Sequence, residues 1–155
     1  MQITLYDKQG NEIKATVKHN SIDVSSKVQE EAMRLKTLRE ERGAIFDKLA
    51  EANKEFAEVE IEFTIDPVAN KDRYETASKR RDAIQKLVGK KDAAILESTL
   101  AELKHIVTIS KGDAKEVPEV DWKKTKSQTI AEALNFFLNG KLPSPPAAES
   151  GGENG

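Results

Sequence analysis

The chain contains no cysteine. That one absence removes disulfides, thiolate metal sites and cysteine nucleophiles together, and it is compatible with a reducing compartment. Aromatic residues make up only 5% of the 155 positions, a composition that suits long solvated helices better than a thick sandwich. Neither sign of charge dominates. Lys plus Arg number 25 and Asp plus Glu 27, for a net charge of −2, so nothing draws the whole molecule toward nucleic acid or an acidic surface. Long apolar runs are missing as well: none approaches the roughly 18 residues needed to span a bilayer. The opening MQITLYDKQG has neither the basic n-region nor the apolar h-region of a secretory signal. Together these features predict a soluble, cytoplasmic protein.

Catalytic signatures are equally sparse. No serine lies in Gly-x-Ser-x-Gly, and the two histidines, His19 and His105, stand too far apart in sequence to suggest a directed base. Gly89-Lys90 and Gly140-Lys141 look like pieces of a phosphate loop, but neither has the glycine that such a loop needs five residues earlier. Glu102-x-x-His105 is the one metal-like spacing. A carboxylate-bridged di-metal bundle requires two such pairs plus two further carboxylates, and no Glu precedes His19 by three residues. The expectation is no catalytic residue, no cofactor, no metal, and hence no enzyme.

What the sequence does have is charge and helical period. At 34%, charged residues exceed the roughly 25% usual in soluble domains. The length fits one domain over 1–140. The remaining residues 141–155, KLPSPPAAESGGENG, have almost nothing to bury and read as a disordered tail. Two β-prone runs, ITLY and IKATV, flank a turn rich in Asp, Gly and Asn, which predicts an N-terminal hairpin. From a cap at Ser25 or Ser26, apolar residues at heptad spacing from Val28 to Phe56 predict one helix of about 48 Å, with Gly43 as its weakest point.

The next stretch, VEIEFTIDP over 59–67, alternates apolar and polar residues. Helical period would keep Val59 and Phe63 on the existing stripe but send Ile61 and Ile65 elsewhere. A strand over 58–65 accounts for all four, and Asp66-Pro67 would end it. That strand would extend the hairpin into a three-stranded sheet. Further helices are expected from about 70 to 88, stopped by Gly89, from about 92 toward Ile106, and from a cap at Ser127 or Thr125 through Leu138 to Asn139-Gly140. Ile106-Val107-Thr108-Ile109 is again β-prone, which leaves the end of the third helix open. The fold class is therefore α+β, predominantly helical, with a small N-terminal hairpin, one long helix and three shorter ones.

Two regions can carry binding. Lys71, Arg73, Lys79, Arg80, Arg81, Lys86, Lys90 and Lys91 face only Asp72, Glu75 and Asp82 in sequence, a local surplus of +5. Lys79, Arg80, Arg81, Lys90 and Lys91 form its candidate patch. It can meet phosphates, match the acidic 58–66 segment or another partner, or simply be a solvated face. Tyr74 is the only aromatic there, so stacking on single strands is unsupported. In the last helix, Ile130, Ala133, Leu134, Phe137 and Leu138 make one regular face, and Ala131 and Phe136 widen it beyond what a single packing surface requires. Either the helix is deeply buried or the flank carrying Phe136 and Leu138 docks on another chain, with Trp122 as a second anchor.

The layout resembles that of the tail assembly chaperones of long-tailed bacteriophages: an N-terminal hairpin, ITLYDKQGNEIKATV, then mostly helices, then a Pro/Ala/Glu/Gly-rich end, LPSPPAAESGGENG. The resemblance lies in architecture along the whole chain and assigns no residue a role. It implies a small protein of the host cytoplasm that binds tape measure and tail tube proteins, with a C-terminus open to extension in a frameshifted form. The function expected from the sequence is thus non-enzymatic protein binding. Two alternatives are a scaffold or adaptor that self-associates through the 26–57 coiled coil and a nucleic-acid-binding protein using the basic 71–91 helix.

Overall fold

A computed structural model describes residues 1–20 and 22–142. In order, the elements are strand β1 (Gln2–Tyr6), strand β2 (Glu12–Val17), helix α1 (Ile22–Ile65), helix α2 (Pro67–Ile106), strand β3 (Val107–Ile109), a 3-10 turn (Trp122–Lys124) and helix α3 (Ser127–Asn139). The chain divides into two compact units. One comprises Met1–Glu31 and the chain from Leu100 onward, the other Ala32–Thr99.

In the first unit the expected hairpin forms. The Asp7 carboxylate accepts hydrogen bonds from the backbone N–H groups of Gln9 and Asn11 and from Asn11 Nδ2, at 2.9, 2.8 and 3.0 Å. Gly10 supplies the positive φ of 87° that the turn requires. These donors, led by the Asn11 N–H, favour the ionised carboxylate and hold Asp7 below its ordinary pKa. β1 and β2 pair antiparallel with Leu5 opposite Ile13, and period-two alternation sends Ile3, Leu5, Ile13, Ala15 and Val17 to one buried face.

The third strand is not the one the sequence favoured. β3, at Val107–Ile109, follows α2 without a linker and pairs antiparallel with β2, Val17 opposite Val107, in the sheet order β1-β2-β3. The sheet face is covered by Val28 of α1, by Leu100, Leu103 and Ile106 at the end of α2, and by Ile130, Ala133 and Phe137 of α3. α3 ends as its Asn-Gly signal predicts: Gly140 has φ 68° and its N–H donates to Phe136 O at 2.7 Å. Its start differs. Lys126 occupies the cap position without a side-chain bond, Ser127 is already helical, and Thr125 is buried. The expected disorder of the tail concerns residues that, beyond 142, lie outside the described ones.

The second unit is an antiparallel helical hairpin. The 58–65 stretch is not a strand: α1 runs unbroken to Ile65. The physical reason is visible in the spacing. Buried or half-buried positions recur at alternating intervals of three and four residues from Leu35 through Leu38, Arg42, Ile45, Leu49, Ala52, Phe56 and Val59 to Phe63, with Arg81 and Lys91 filling the corresponding places in α2. α2 repeats the pattern from Tyr74 through Ala77, Ile84, Val88 and Ile95 to Ser98. This is a coiled-coil seam, and Val59 and Phe63 extend it. Phe63 stacks on Tyr74 with ring centroids 4.4 Å apart, and Phe56 lies 5.4 Å from the same ring. A continuous seam gains more than a strand with no partner could.

Asp66-Pro67 marks a boundary, but between two helices rather than after a strand. Asp66 caps α2, its carboxylate accepting from Ala69 N–H at 3.1 Å. Pro67, the first residue of α2, has no N–H to leave unsatisfied there. Asn70 Nδ2 bridges the turn by donating to Glu62 O at 3.0 Å and Asp66 O at 3.1 Å.

Neither glycine breaks its helix. Gly43 lies within α1, and Gly89 within α2, so that the two helices expected over 70–88 and 92–106 are one and the described residues form three α-helices rather than four. Propensity loses here to tertiary packing, since the seam continues on both sides of each glycine. A Cβ built on either glycine meets nothing within 4 Å, and neither has positive φ. Gly43→Ala and Gly89→Ala should therefore each stabilise the hairpin by up to about 1 kcal/mol. The check is the thermal midpoint of each variant against the parent.

Candidate functional site

The three residues expected to bind a partner are separated by their packing. Trp122 and Phe136 are partly buried against the core of the first unit, alongside Leu134. Lys104 lies over the Trp122 ring, 5.6 Å from its centroid. Only Leu138 is largely free, at 57% exposure. Phe136→Ala should cost about 1 to 3 kcal/mol, less than a fully buried Phe because part of the ring stays wet. Leu138→Ala should change stability by less than about 0.5 kcal/mol. Parallel melting curves of the two variants decide between packing and docking for this flank.

The basic patch is drawn partly into the hairpin. Arg80 pairs with Glu55, Lys91 with Glu41, and Arg73, one of the surplus cations, with Glu62. Arg81 contacts Asp82 at 3.4 Å and lays its guanidinium over Phe56, 4.0 Å from the ring centroid. Arg42, at a seam position, pairs with Asp92. Three of the pairs place an acid of α1 opposite a cation of α2, Arg42–Asp92 runs the other way, and all four help to set the antiparallel register. They are solvent-exposed, so each contributes little to stability by itself. Lys79 and Lys90 are exposed, and no ion pair holds either among the described residues. Glu102 is buried in the first unit. Among the described residues no group of three or more His, Asp or Glu could hold a metal ion, and no helix is long and apolar enough to cross a membrane.

A different region collects the exposed apolar surface. At the turn between α1 and α2, Ile61, Ile65 and Val68 are 64%, 79% and 91% exposed. Val68 also lines an open cleft of about 440 Å³ with Phe63, Pro67, Lys71, Tyr74 and Glu75. The geometry follows from the helix that replaced the expected strand. One side of 59–65 supplies Val59 and Phe63 to the seam, which leaves Ile61 and Ile65 with no partner helix to cover them. Pro67 and Asp66 then start α2 so tightly that Val68, its second residue, is also uncovered. The sequence held the signal in the apolar residues over 59–65, but a strand over 58–65 would have buried all four of them.

Along the sequence of this turn the charge is one-sided, although the cleft itself is lined by one cation, Lys71, and one carboxylate, Glu75. Residues 58–75 contain Glu58, Glu60, Glu62, Asp66, Asp72 and Glu75 against Lys71 and Arg73, a local −4. Arg73 is committed to Glu62. Glu58, Glu60, Asp66, Asp72 and Glu75 are all exposed. Comparison with known proteins found no match, whether among family models, curated proteins or solved structures.

Proposed function

We propose that the chain is a non-enzymatic protein-binding module whose working surface is the turn end of the helical hairpin. One observation carries this reading: Val68, 91% exposed, lines an open cleft with Phe63, Pro67 and Tyr74, and Ile61 and Ile65 are exposed at the same end of α1. Exposed aliphatic residues grouped in this way are costly in water and are the usual mark of a surface that another molecule covers. The seam supports them from beneath, because the Phe63–Tyr74 stack fixes the cleft wall before any partner arrives.

The resemblance to tail assembly chaperones makes tail tube and tape measure proteins the first partners to try. Co-expression of the full chain with each, followed by affinity capture and size-exclusion chromatography, tests the reading. Co-elution that is lost on adding a charge at Val68 supports it. Retention of capture by such a variant moves the surface elsewhere, with Leu138 the next position to examine. Turnover of a nucleotide or an ester at enzyme-like rates by the purified chain ends the non-enzymatic reading.

The second reading, self-association through the long helix, has less surface to work with. Leu35, Leu38, Ile45, Leu49 and Phe56 are taken up in the seam with α2. Light scattering over a dilution series checks it, with a mass independent of concentration expected.

A further inference from the structure

We infer that the outer edge of β1 takes an extended segment of a partner protein as an added strand of the sheet, in the groove between that edge and α3. The site lies in the first unit and stands or falls separately from the turn end of the hairpin. Backbone phase shows which groups are free. Val17 N–H donates to Met1 O at 2.9 Å and Asp7 N–H to Asn11 O at 3.0 Å, so Met1 and Asp7 face β2. Alternation along the antiparallel ladder then turns Ile3 and Leu5 toward β2 as well, and points the N–H and C=O groups of Gln2, Thr4 and Tyr6 outward. Tyr6 O already accepts from Asp121 N–H at 2.8 Å, so the chain's own backbone pairs with one end of this edge. Among the described residues the outward groups of Gln2 and Thr4 make no hydrogen bond. Edge strands are normally blunted by a proline, a charge or a bulge. QITLY has no proline and no charged residue, and its register with β2 runs without a bulge.

The groove decides what fits there. About 380 Å³ in volume, it is lined by Gln2, Thr4 and Lys14 on the sheet side and by Lys126, Thr129 and Glu132 along one flank of α3. An amphipathic helix spends its own N–H and C=O groups internally and would leave those of Gln2 and Thr4 unmet. A nucleic acid or a phospholipid brings phosphates, whereas the groove balances Lys14 and Lys126 with Glu12 and Glu132. Another extended backbone supplies donors and acceptors at the period of the edge, which is the chemistry of strand addition. Its side chains are specified too: alternate ones face α3, where Lys126 and Glu132 stand nearly two helical turns apart. The matching segment therefore carries an acid and a base on one face. A second copy offering its own β1 fits less well, because that edge is flanked by its own α3 and two helices would have to share the room of one groove.

The test uses the full-length chain and a capped octapeptide, Thr-Val-Thr-Glu-Thr-Lys-Thr-Val, with amide exchange read by NMR and binding by anisotropy. In the isolated chain the Thr4 amide should exchange about tenfold or more faster than those of Ile3 and Leu5. The peptide should bind saturably and slow Thr4 exchange by about tenfold or more, and the same peptide N-methylated at every residue should do neither. Thr4→Pro removes the outward N–H without touching the ladder to β2, so it should leave the fold in place and abolish peptide binding. Thr129→Trp, which fills the groove from α3, should abolish binding without any change to β1. Val68→Asp, at the turn end of the hairpin, should leave peptide binding unchanged, and its loss there would overturn the assignment to β1. Equal binding of the methylated peptide, or no saturable binding of the unmodified one, overturns the inference. So does binding that survives in Thr129→Trp or in a folded Thr4→Pro variant. Slow exchange of Thr4 in the isolated chain overturns it as well, with a second copy as the occupant if the protection fades on dilution and residues 143–155 if it fades on their removal.

Discussion

Leu103→Ala should lower the stability of the first unit by about 2 to 5 kcal/mol, the largest loss expected from any single truncation in the molecule. Leu103 is fully buried in a core built from the three-stranded sheet, the last turns of α2 and helix α3. Its neighbours come from separate stretches of sequence, so no one of them can collapse into the vacated volume without pulling its own element away from the sheet. Most of the cavity therefore stays open, which places the cost toward the upper part of that range. For a chain of this size, such a loss corresponds to a fall in melting temperature of about 5 to 15 °C. Calorimetry checks the shift. A change below about 2 °C would mean that the core tolerates the void, contrary to the packing described.

Val68→Asp is expected to do the opposite: to leave folding intact and remove binding. Val68 is 91% exposed, so an aspartate there loses no buried contact. It also occupies the second position of α2, where a carboxylate interacts favourably with the helix dipole. The melting temperature should therefore stay within the equivalent of about 0.5 kcal/mol of the parent. Partner capture should fall by about tenfold or more, because a charge would now sit at the centre of the apolar contact and lose its water on binding. Circular dichroism and affinity capture on the same preparation measure both quantities. Loss of helicity would assign Val68 to the fold.

Much of the architecture was legible from short-range pattern. The hairpin was announced by ITLY, the Asp-Gly-Asn turn and IKATV, because a half-buried sheet enforces period two. The end of α3 was announced by Asn139-Gly140, because a left-handed terminus favours glycine. Where the reading failed, a distant partner decided the outcome. Val59, Ile61, Phe63 and Ile65 alternate as a strand would, yet Tyr74 and the seam of α2 hold Phe63 in a helix. Gly43 and Gly89 stop an isolated helix more readily than one packed along its length. β3 is three residues long and directly follows a helix, so its β-prone residues could not be separated from the end of that helix by pattern alone.

Distant packing bears on the candidate binding residues in the same way. Phe136 and Trp122 look like surplus apolar residues in sequence, but the core of the first unit takes up part of each. Ile61 and Ile65, which a strand over 58–65 would have hidden, stay uncovered, as does Val68 beyond them. Among the cations, Arg80 and Lys91 were identified as candidates for an outside partner, and both find carboxylates in α1. Those carboxylates, Glu55 and Glu41, lie outside the acidic 58–66 segment, of which Glu62 pairs with Arg73 of the basic stretch.

The central claim is that the apolar turn end of the hairpin is free in the isolated chain and covered by a protein partner. Carbene footprinting of the full-length chain, alone and in a captured complex, measures this at single residues. The account predicts heavy labelling of Ile61, Ile65 and Val68 in the free chain and strong protection of all three in the complex, with Met33 and Leu138 unchanged. Protection at Leu138 or Met33 with residues 61–68 still labelled would contradict it.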